Sequence, residues 1–334
     1  MIDLKALSFK ELAEVCVPFG VPAFKVRELF RALHQRQLEA IDALTFLSKN
    51  EREKLAKKTY ISRIVPEKSW QGRKVKKTAF RLEDGKIIEA VLMEYEGERN
   101  TVCVSSQVGC PVKCRFCATG KMGFVRNLTA GEIVAQVYYF SQEAEVSNIV
   151  FMGMGEPFFN YDNVLKSARL LNHSLGKKIA ARKLVISTTG IVAGIRRFSE
   201  EPEQFRLAWS LTAPFDRVRQ ELAGIKRADP LGKVVAALRD YQQRTGRRIT
   251  IEYVVLARVN DSLKDIRELI AIARSLDSHV NLIPYNPTAA AEFKGGRLDL
   301  ICLQLQNARV NVSIRKSFGR EINAACGQLA GGKG

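Results

Sequence analysis

From residue 100 onward the chain repeats one pattern six times: a short apolar run, a loop rich in glycine and small polar residues, then an amphipathic helix. The apolar runs predict strands at residues 101–106, 147–152, 183–187, 206–211, 249–256 and 280–283. Two of the intervening helices announce their starts with capping boxes, Thr129 with Glu132 and Ser262 with Asp265. Strand–helix units in series bury both faces of their strands in a parallel sheet flanked by helices, so the pattern predicts an α/β fold, either a barrel or a doubly wound sheet. Ligands in both architectures bind beyond the carboxyl ends of the strands. The unusual residues fall there: a cysteine loop after the first strand, Gly153-Met-Gly-Glu-Pro157 after the second, Ser187-Thr-Thr-Gly190 at the third, Ser210-Leu-Thr-Ala-Pro214 at the fourth and Tyr285-Asn-Pro287 after the sixth. The loops converge on one site.

Residues 1–62 read as a small helical domain. Ser8 with Glu11 and Ser48 with Glu51 are capping boxes, and Pro18-Phe-Gly-Val-Pro22 breaks the chain before Val26, Leu29, Phe30 and Leu33, which recur at helical spacing. Two helices joined by such a turn serve either as a packing unit or as a grip on a nucleic-acid backbone. Residues 63–99 form a basic linker and a β-hairpin. Arg63, Lys68, Arg73, Lys74, Lys76, Lys77 and Arg81 face only Glu67, with Trp70 among them. This is either a solvated strip or a contact for phosphates and a stacked base. Strand-like alternation from Lys77 to Tyr95 surrounds an Asp84-Gly85 turn. The third region, residues 100–334, is the core.

Charge narrows the partner. With 53 basic against 35 acidic residues the net charge is +18, a field that attracts polyanions. No run of about 18 apolar residues exists to cross a membrane, and the amino terminus lacks an apolar signal core, which predicts a cytoplasmic protein without a membrane partner. Seven cysteines in such a chain point to metal or catalytic thiols rather than a disulfide framework.

Three of the seven stand in Cys110-Pro-Val-Lys-Cys114-Arg-Phe-Cys117, spaced CxxxCxxC. Three thiolates on one tight loop can hold three corners of an iron–sulfur cubane and leave the fourth iron open. Structural zinc needs four closed ligands, and no second pair of cysteines or nearby histidine supplies the fourth. One strand–helix unit later, the glycines of Gly153-Met-Gly-Glu-Pro157 allow close backbone approach to a ligand, and Glu156 can pair with an ammonium group.

The chain resembles the RlmN/Cfr-type radical S-adenosylmethionine RNA methyltransferases, and within them the RlmN branch. The resemblance rests on Cys103-Val-Ser-Ser-Gln-Val-Gly-Cys110, the cysteine loop, Gly123-Phe-Val-Arg-Asn-Leu-Thr-Ala-Gly-Glu132, Phe151-Met-Gly-Met-Gly-Glu-Pro157, Ile186-Ser-Thr, Glu252-Tyr-Val-Val, Asn281-Leu-Ile-Pro-Tyr-Asn-Pro287 and Ala324-Ala-Cys-Gly-Gln-Leu329. It implies a partial barrel of six strand–helix units and a helix-hairpin-helix-like amino-terminal domain. It further implies a 4Fe-4S cluster on Cys110, Cys114 and Cys117, and S-adenosylmethionine, two molecules per turnover, held by Gly155, Glu156, Ser187, Ser210, Leu211, Thr212 and Asn286. Cys326 would carry a methyl group as S-methylcysteine, and a 5'-deoxyadenosyl radical would remove hydrogen from it. The resulting carbon radical would add to carbon 2 of adenine, which lies between two ring nitrogens and is too electron-poor to attack a sulfonium methyl itself. Glu89 would accept the ring proton, and Cys103 would form a disulfide with Cys326 to release the product. The implied substrates are 23S rRNA and tRNA, the implied electron donor is a flavodoxin or ferredoxin, and the implied state is a monomer.

Two departures stand out. Thr212 replaces the family's histidine, and Gly224-Ile225-Lys226 replaces its Pro-Ile-Asn. Glu94, Glu96 and Glu98 compete with Glu89 for the role of base, while Cys16 and Cys302 lie on apolar helical patterns as packing thiols. Two alternatives remain at this point: methylation at carbon 8, as in Cfr, and a non-catalytic iron–sulfur protein that only binds RNA.

Overall fold

The alternation from residue 100 onward supplies seven strands of a ten-stranded sheet in which the strands lie side by side in chain order. In the computed structural model, which describes residues 1–97, 99–224, 229–288 and 292–332, these strands are β1 (Val65–Gly72), β2 (Val75–Arg81), β3 (Ile87–Glu94), β4 (Asn100–Cys103), β5 (Asn148–Phe151), β6 (Leu184–Thr188), β7 (Arg206–Ser210), β8 (Thr250–Val255), β9 (His279–Pro284) and β10 (Val312–Ile314). Strands β4 to β10 pair in parallel, and β1 to β4 pair antiparallel. A doubly wound sheet reverses its strand order at a switch point. This order never reverses, and β10 and β1 are its free edges, so the architecture is a partial, open barrel. The pattern predicts six parallel strands; the seventh, β10, is a three-residue edge strand too short to show a period.

Local chemistry starts the helices where the sequence placed them. Capping boxes are formed at Ser8, Ser48, Thr129 and Ser262, each with reciprocal bonds to the residue three positions on. The segment read as a basic linker and hairpin supplies β1 to β3, which extend the parallel sheet. β1 is mostly exposed and bulged between Pro66 and Lys68, features that keep an edge strand from pairing with another chain. Among the described residues no helix is long and apolar enough to cross a membrane.

The helices α1 (Phe9–Cys16) and α2 (Ala23–His34) pack against the barrel's outer helices through an aromatic seam. The Phe30 ring lies 4.3 Å from His34 and 4.6 Å from His173, and Nδ1 of His34 is 2.7 Å from the Tyr138 hydroxyl. His34 is fully buried. Burial, with smaller contributions from Lys5 and His173, pushes its pKa down to about 3. Because the folded value lies below the unfolded value near 6.5, stability is intact above that pH and falls as the unfolded imidazole takes up a proton. Unfolding at pH 5 is expected to require about 2 kcal/mol less than at pH 7.5 through this residue. Denaturant titrations of wild type and His34→Phe at both pH values check this. An unchanged pH difference in the variant refutes the assignment.

Candidate active site

The cysteine loop leaves β4 and is shaped by glycine. Gly109 has φ +73°, and a Cβ there would lie 1.8 Å from the Gly123 carbonyl oxygen; the adjacent Cys110 amide donates to that carbonyl at 2.9 Å. A Cβ on Gly120 would press within 2.7 Å of the Cys114 backbone, so only glycine lets the following helical turn close over the loop. Cys110, Cys114 and Cys117 then line one cavity at the carboxyl ends of the strands. Burial raises all three thiols, Cys110 to about 12.

Opposite stands the loop after β5. The Gly153 amide donates to the Val104 carbonyl at 3.0 Å, and Gly155, at φ +106°, sits where a Cβ would come within 2.7 Å of Gln107. The Glu156 amide donates to Oε1 of Gln107 at 2.9 Å. Its carboxylate accepts from the Phe158 amide at 3.1 Å and the Thr189 amide at 2.9 Å. Burial raises this carboxyl's pKa while the amide donors act against it. A buried acid aimed into a cavity can receive a ligand ammonium. Ser187 and Ser210, whose hydroxyls are 3.0 Å apart, line the same cavity with Leu211 and Thr212. Thr212 is buried, and its carbonyl accepts from Nδ2 of Asn260 at 2.9 Å.

Asn286 lies elsewhere. It lines a second, adjoining cavity, where Nδ2 donates to the Cys326 carbonyl at 3.2 Å and Oδ1 accepts from Nε of Arg320 at 2.6 Å. In this arrangement its side chain holds the carboxyl-terminal loop and does not line the first cavity with the other expected S-adenosylmethionine contacts.

Cys326 borders both cavities and is exposed. Its loop is tied to the cysteine loop: the Ala118 amide donates to the Gly327 carbonyl at 2.7 Å, and the Thr119 hydroxyl to the Leu329 carbonyl at 2.7 Å. Cys103, at the end of β4, lines the second cavity with Cys326. Burial pushes its thiol up to about 12, with Cys326 adding to the effect and Arg315 opposing it. All seven cysteines are free. Cys16 is buried and Cys302 half-buried; both stand apart from the two cavities.

Arg315 carried no signal in the sequence, yet it borders both cavities just beyond β10. Its Nη1 lies 3.3 Å from Oε2 of Glu252, which also accepts from Nδ2 of Asn281 at 2.9 Å. The pKa of this guanidinium is raised, chiefly by Cys326, with burial opposing. A lone arginine after a three-residue strand has no local pattern to mark it.

Glu89 lines neither cavity. On β3 it is fully buried, paired with Nζ of Lys77 at 3.2 Å, and capped by the Ala330 and Gly332 amides at 2.7 and 3.2 Å. Here the carboxylate is covered by the carboxyl-terminal segment. Of its rivals, Glu94 is exposed and Glu96 pairs with Lys74 at 3.6 Å. Glu98, Ile225 and Lys226 lie outside the described residues.

The donor set distinguishes between metals. Among the described residues no three His, Cys, Asp or Glu side chains converge tightly enough for a single ion. Three thiols around one cavity, which Glu156 and the serines also line, would instead suit a larger sulfur-bound cluster. The residues present fit a 4Fe-4S cluster.

A model of the radical SAM superfamily matches residues 104–270. Over 98% of its length the chain is 40% identical to a protein of Heliobacterium modesticaldum and 41% identical to one of Moorella thermoacetica, each named a probable dual-specificity RNA methyltransferase RlmN; the matches cover 89% and 97% of those relatives. The crystal structure of a radical SAM methyltransferase from Sphaerobacter thermophilus superposes with a TM-score of 0.92 at 43% identity, covering 98% of this chain and 99% of the other.

Proposed function

Since the chain belongs to the RlmN family of radical SAM RNA methyltransferases, we propose that it methylates carbon 2 of adenosine in 23S rRNA and in tRNA through a one-carbon unit carried on Cys326. The observation that supports this reading is the position of Cys326, which borders the cavity of the three cluster thiols and shares the adjoining one with Cys103. Cys110, Cys114 and Cys117 would hold the 4Fe-4S cluster, with Gly155, Glu156, Ser187, Ser210, Leu211 and Thr212 around S-adenosylmethionine and Asn286 reaching it from the adjoining cavity. Bound there, the pair supplies a transferable methyl group and one-electron chemistry able to activate a C–H bond.

The chain's own residues then divide the work. The Cys326 sulfur accepts the methyl group, forming its S–C bond as the donor's bond to that carbon breaks. Arg315 borders the same two cavities as this residue and places a cation beside the reacting group. Glu89 removes the ring proton once the carbon is attached to the purine, and the odd electron of that adduct would return to the one-electron centre held by the three thiols. The Cys103 thiol attacks the Cys326 sulfur; the S–S bond forms, the S–C bond breaks with its electron pair staying on the carbon, the thiol's proton ends on that carbon, and the methylated base leaves. A reducing partner of flavodoxin or ferredoxin type would supply the electron for the one-electron chemistry, and a thiol reductant would reopen the disulfide. Thr212 stands where the family has histidine and can supply one hydroxyl contact in its place.

Mass spectrometry of RNA nucleosides after anaerobic incubation with reconstituted protein, reductant and S-adenosylmethionine tests this. The expected product is 2-methyladenosine. 8-Methyladenosine overturns the regiochemistry, and unmodified RNA overturns the reading altogether.

A further inference from the structure

Lys77 is a fully buried amine to which the proposed steps give no role. Its side chain, like that of Glu89, is fully buried, and its Nζ makes no aligned hydrogen bond. Instead it sits 3.2 Å from Oε1 of Glu89 and 4.2 Å above the Trp70 ring. Sheet register explains the placement. Trp70 pairs with Lys77, Lys77 with Val91, and Val91 with Cys103, so these residues form one row across β1 to β4. Residues directly opposite share a face of the sheet, and so do residues two apart on one strand. Glu89, two residues before Val91, therefore lies on the face that carries Cys103. Leu329 lines the second cavity beside Cys103, and Ala330 and Gly332 reach Glu89. The segment after Cys326 is thus laid across this face from the thiol to the carboxylate.

Three groups hold the carboxylate in this closed arrangement: the Lys77 ammonium from β2 and the Ala330 and Gly332 amides from the tail. The other groups packed on Glu89 meet its backbone. Ser105 donates to its carbonyl at 2.6 Å, and Sδ of Met154 lies 3.3 Å from its amide. A purine can reach Glu89 only after the tail lifts, and lifting the tail removes both amide donors. Lys77 then remains as the charged partner. Resting on the reading of Glu89 as the base, we infer that Lys77 is its positioning residue, holding the carboxylate in place in the open state. In the step it supports, the ring C–H bond breaks, the proton passes to a Glu89 oxygen and the electron pair stays on the purine.

The test is the single-turnover rate of RNA methylation in the reconstituted enzyme, with methylation of Cys326 followed separately by intact-protein mass spectrometry. Lys77→Met removes the charged partner of Glu89, so the RNA methylation rate is expected to fall by about tenfold or more. Lys77→Arg is expected to restore a rate near wild type. Cys326 methylation should be unchanged in both, because the base acts after it. Should Lys77→Met fail to fold, Lys77→Gln keeps a donor and similar volume without the charge and carries the same expectation. A charge-free variant whose RNA methylation rate matches wild type overturns the role of Lys77. Glu89→Gln separates the two claims: expected to methylate Cys326 yet yield no free 2-methyladenosine, it sinks the reading of Glu89 itself if it turns over normally.

Discussion

Replacing Cys326 with Ala is expected to reduce RNA methylation to background, a loss on the order of 10⁴-fold or more, while leaving the fold intact. No other thiol can take its place. Cys103 is buried at the end of β4 with its thiol pushed up to about 12, and it borders only the second cavity. Cys117 borders both cavities but belongs to the cluster set. Cys326→Ser should be equally inactive, since a hydroxyl is a weak nucleophile without an adjacent base and cannot form the disulfide that frees the product. The structural cost is small because the loop is held by backbone. Asn286 meets the carbonyl of residue 326 and Ala118 the carbonyl of Gly327, and alanine keeps both contacts. An exposed side chain truncated this way changes stability by about 0.5 kcal/mol or less. Nucleoside mass spectrometry and thermal unfolding read the two halves of the prediction. Residual methylation within tenfold of wild type would remove Cys326 from the pathway.

What the sequence discloses and what it hides follow from the range of the interactions. Capping boxes at Thr129 and Ser262, the Asp84-Gly85 turn between β2 and β3, and the cysteine loop are decided by residues within a few positions of one another, so their chemistry can be read directly. The two edges of the sheet are harder. β1 reads Val-Pro-Glu-Lys-Ser-Trp-Gln-Gly, polar because an edge must resist further pairing, and polarity there looks like a linker. β10 has three residues, and the arginine that follows it reaches the site only through pairing with β9. The cover over Glu89 is the extreme case. The Ala330 amide and its acceptor are separated by 241 positions, and alternation on β3 showed only that Glu89 chooses one face, not what lies on it. Asn286 shows the same limit from the other side: motif context assigned it to S-adenosylmethionine, whereas its contacts in the closed arrangement are with Arg320 and the Cys326 carbonyl.

The second large effect is expected from Cys114→Ala, which should leave protein reconstituted under anaerobic conditions without its iron, sulfide and brown colour, and bring RNA methylation to background. The argument is one of donors. Cys114 is one of three thiols on the first cavity, and neither histidine nor a fourth cavity cysteine outside Cys326 stands ready to replace it. His34, His173 and His279 all lie away from this cavity. Soft iron sites held by two remaining thiolates lose both the ligand count and the geometry that fix a cubane. The loop itself should survive. Its shape rests on Gly109 and Gly120, on the Cys117 amide donating to the carbonyl of residue 114 at 3.1 Å, and on Arg115 donating to the Leu222 carbonyl at 2.9 Å, all backbone features that alanine preserves. Two comparisons make the result specific. Cys302→Ala, on a helix remote from the cavity, should keep both the cluster and the activity. Cys326→Ala should keep the cluster and lose only the activity, because its thiol lies at the mouth between the cavities and not among the three ligands. Iron and sulfide analysis with the visible absorption spectrum distinguishes all three variants. Wild-type iron content in Cys114→Ala would overturn the ligand assignment, and loss of iron in Cys326→Ala would place that thiol among the ligands instead of on the path of the methyl group.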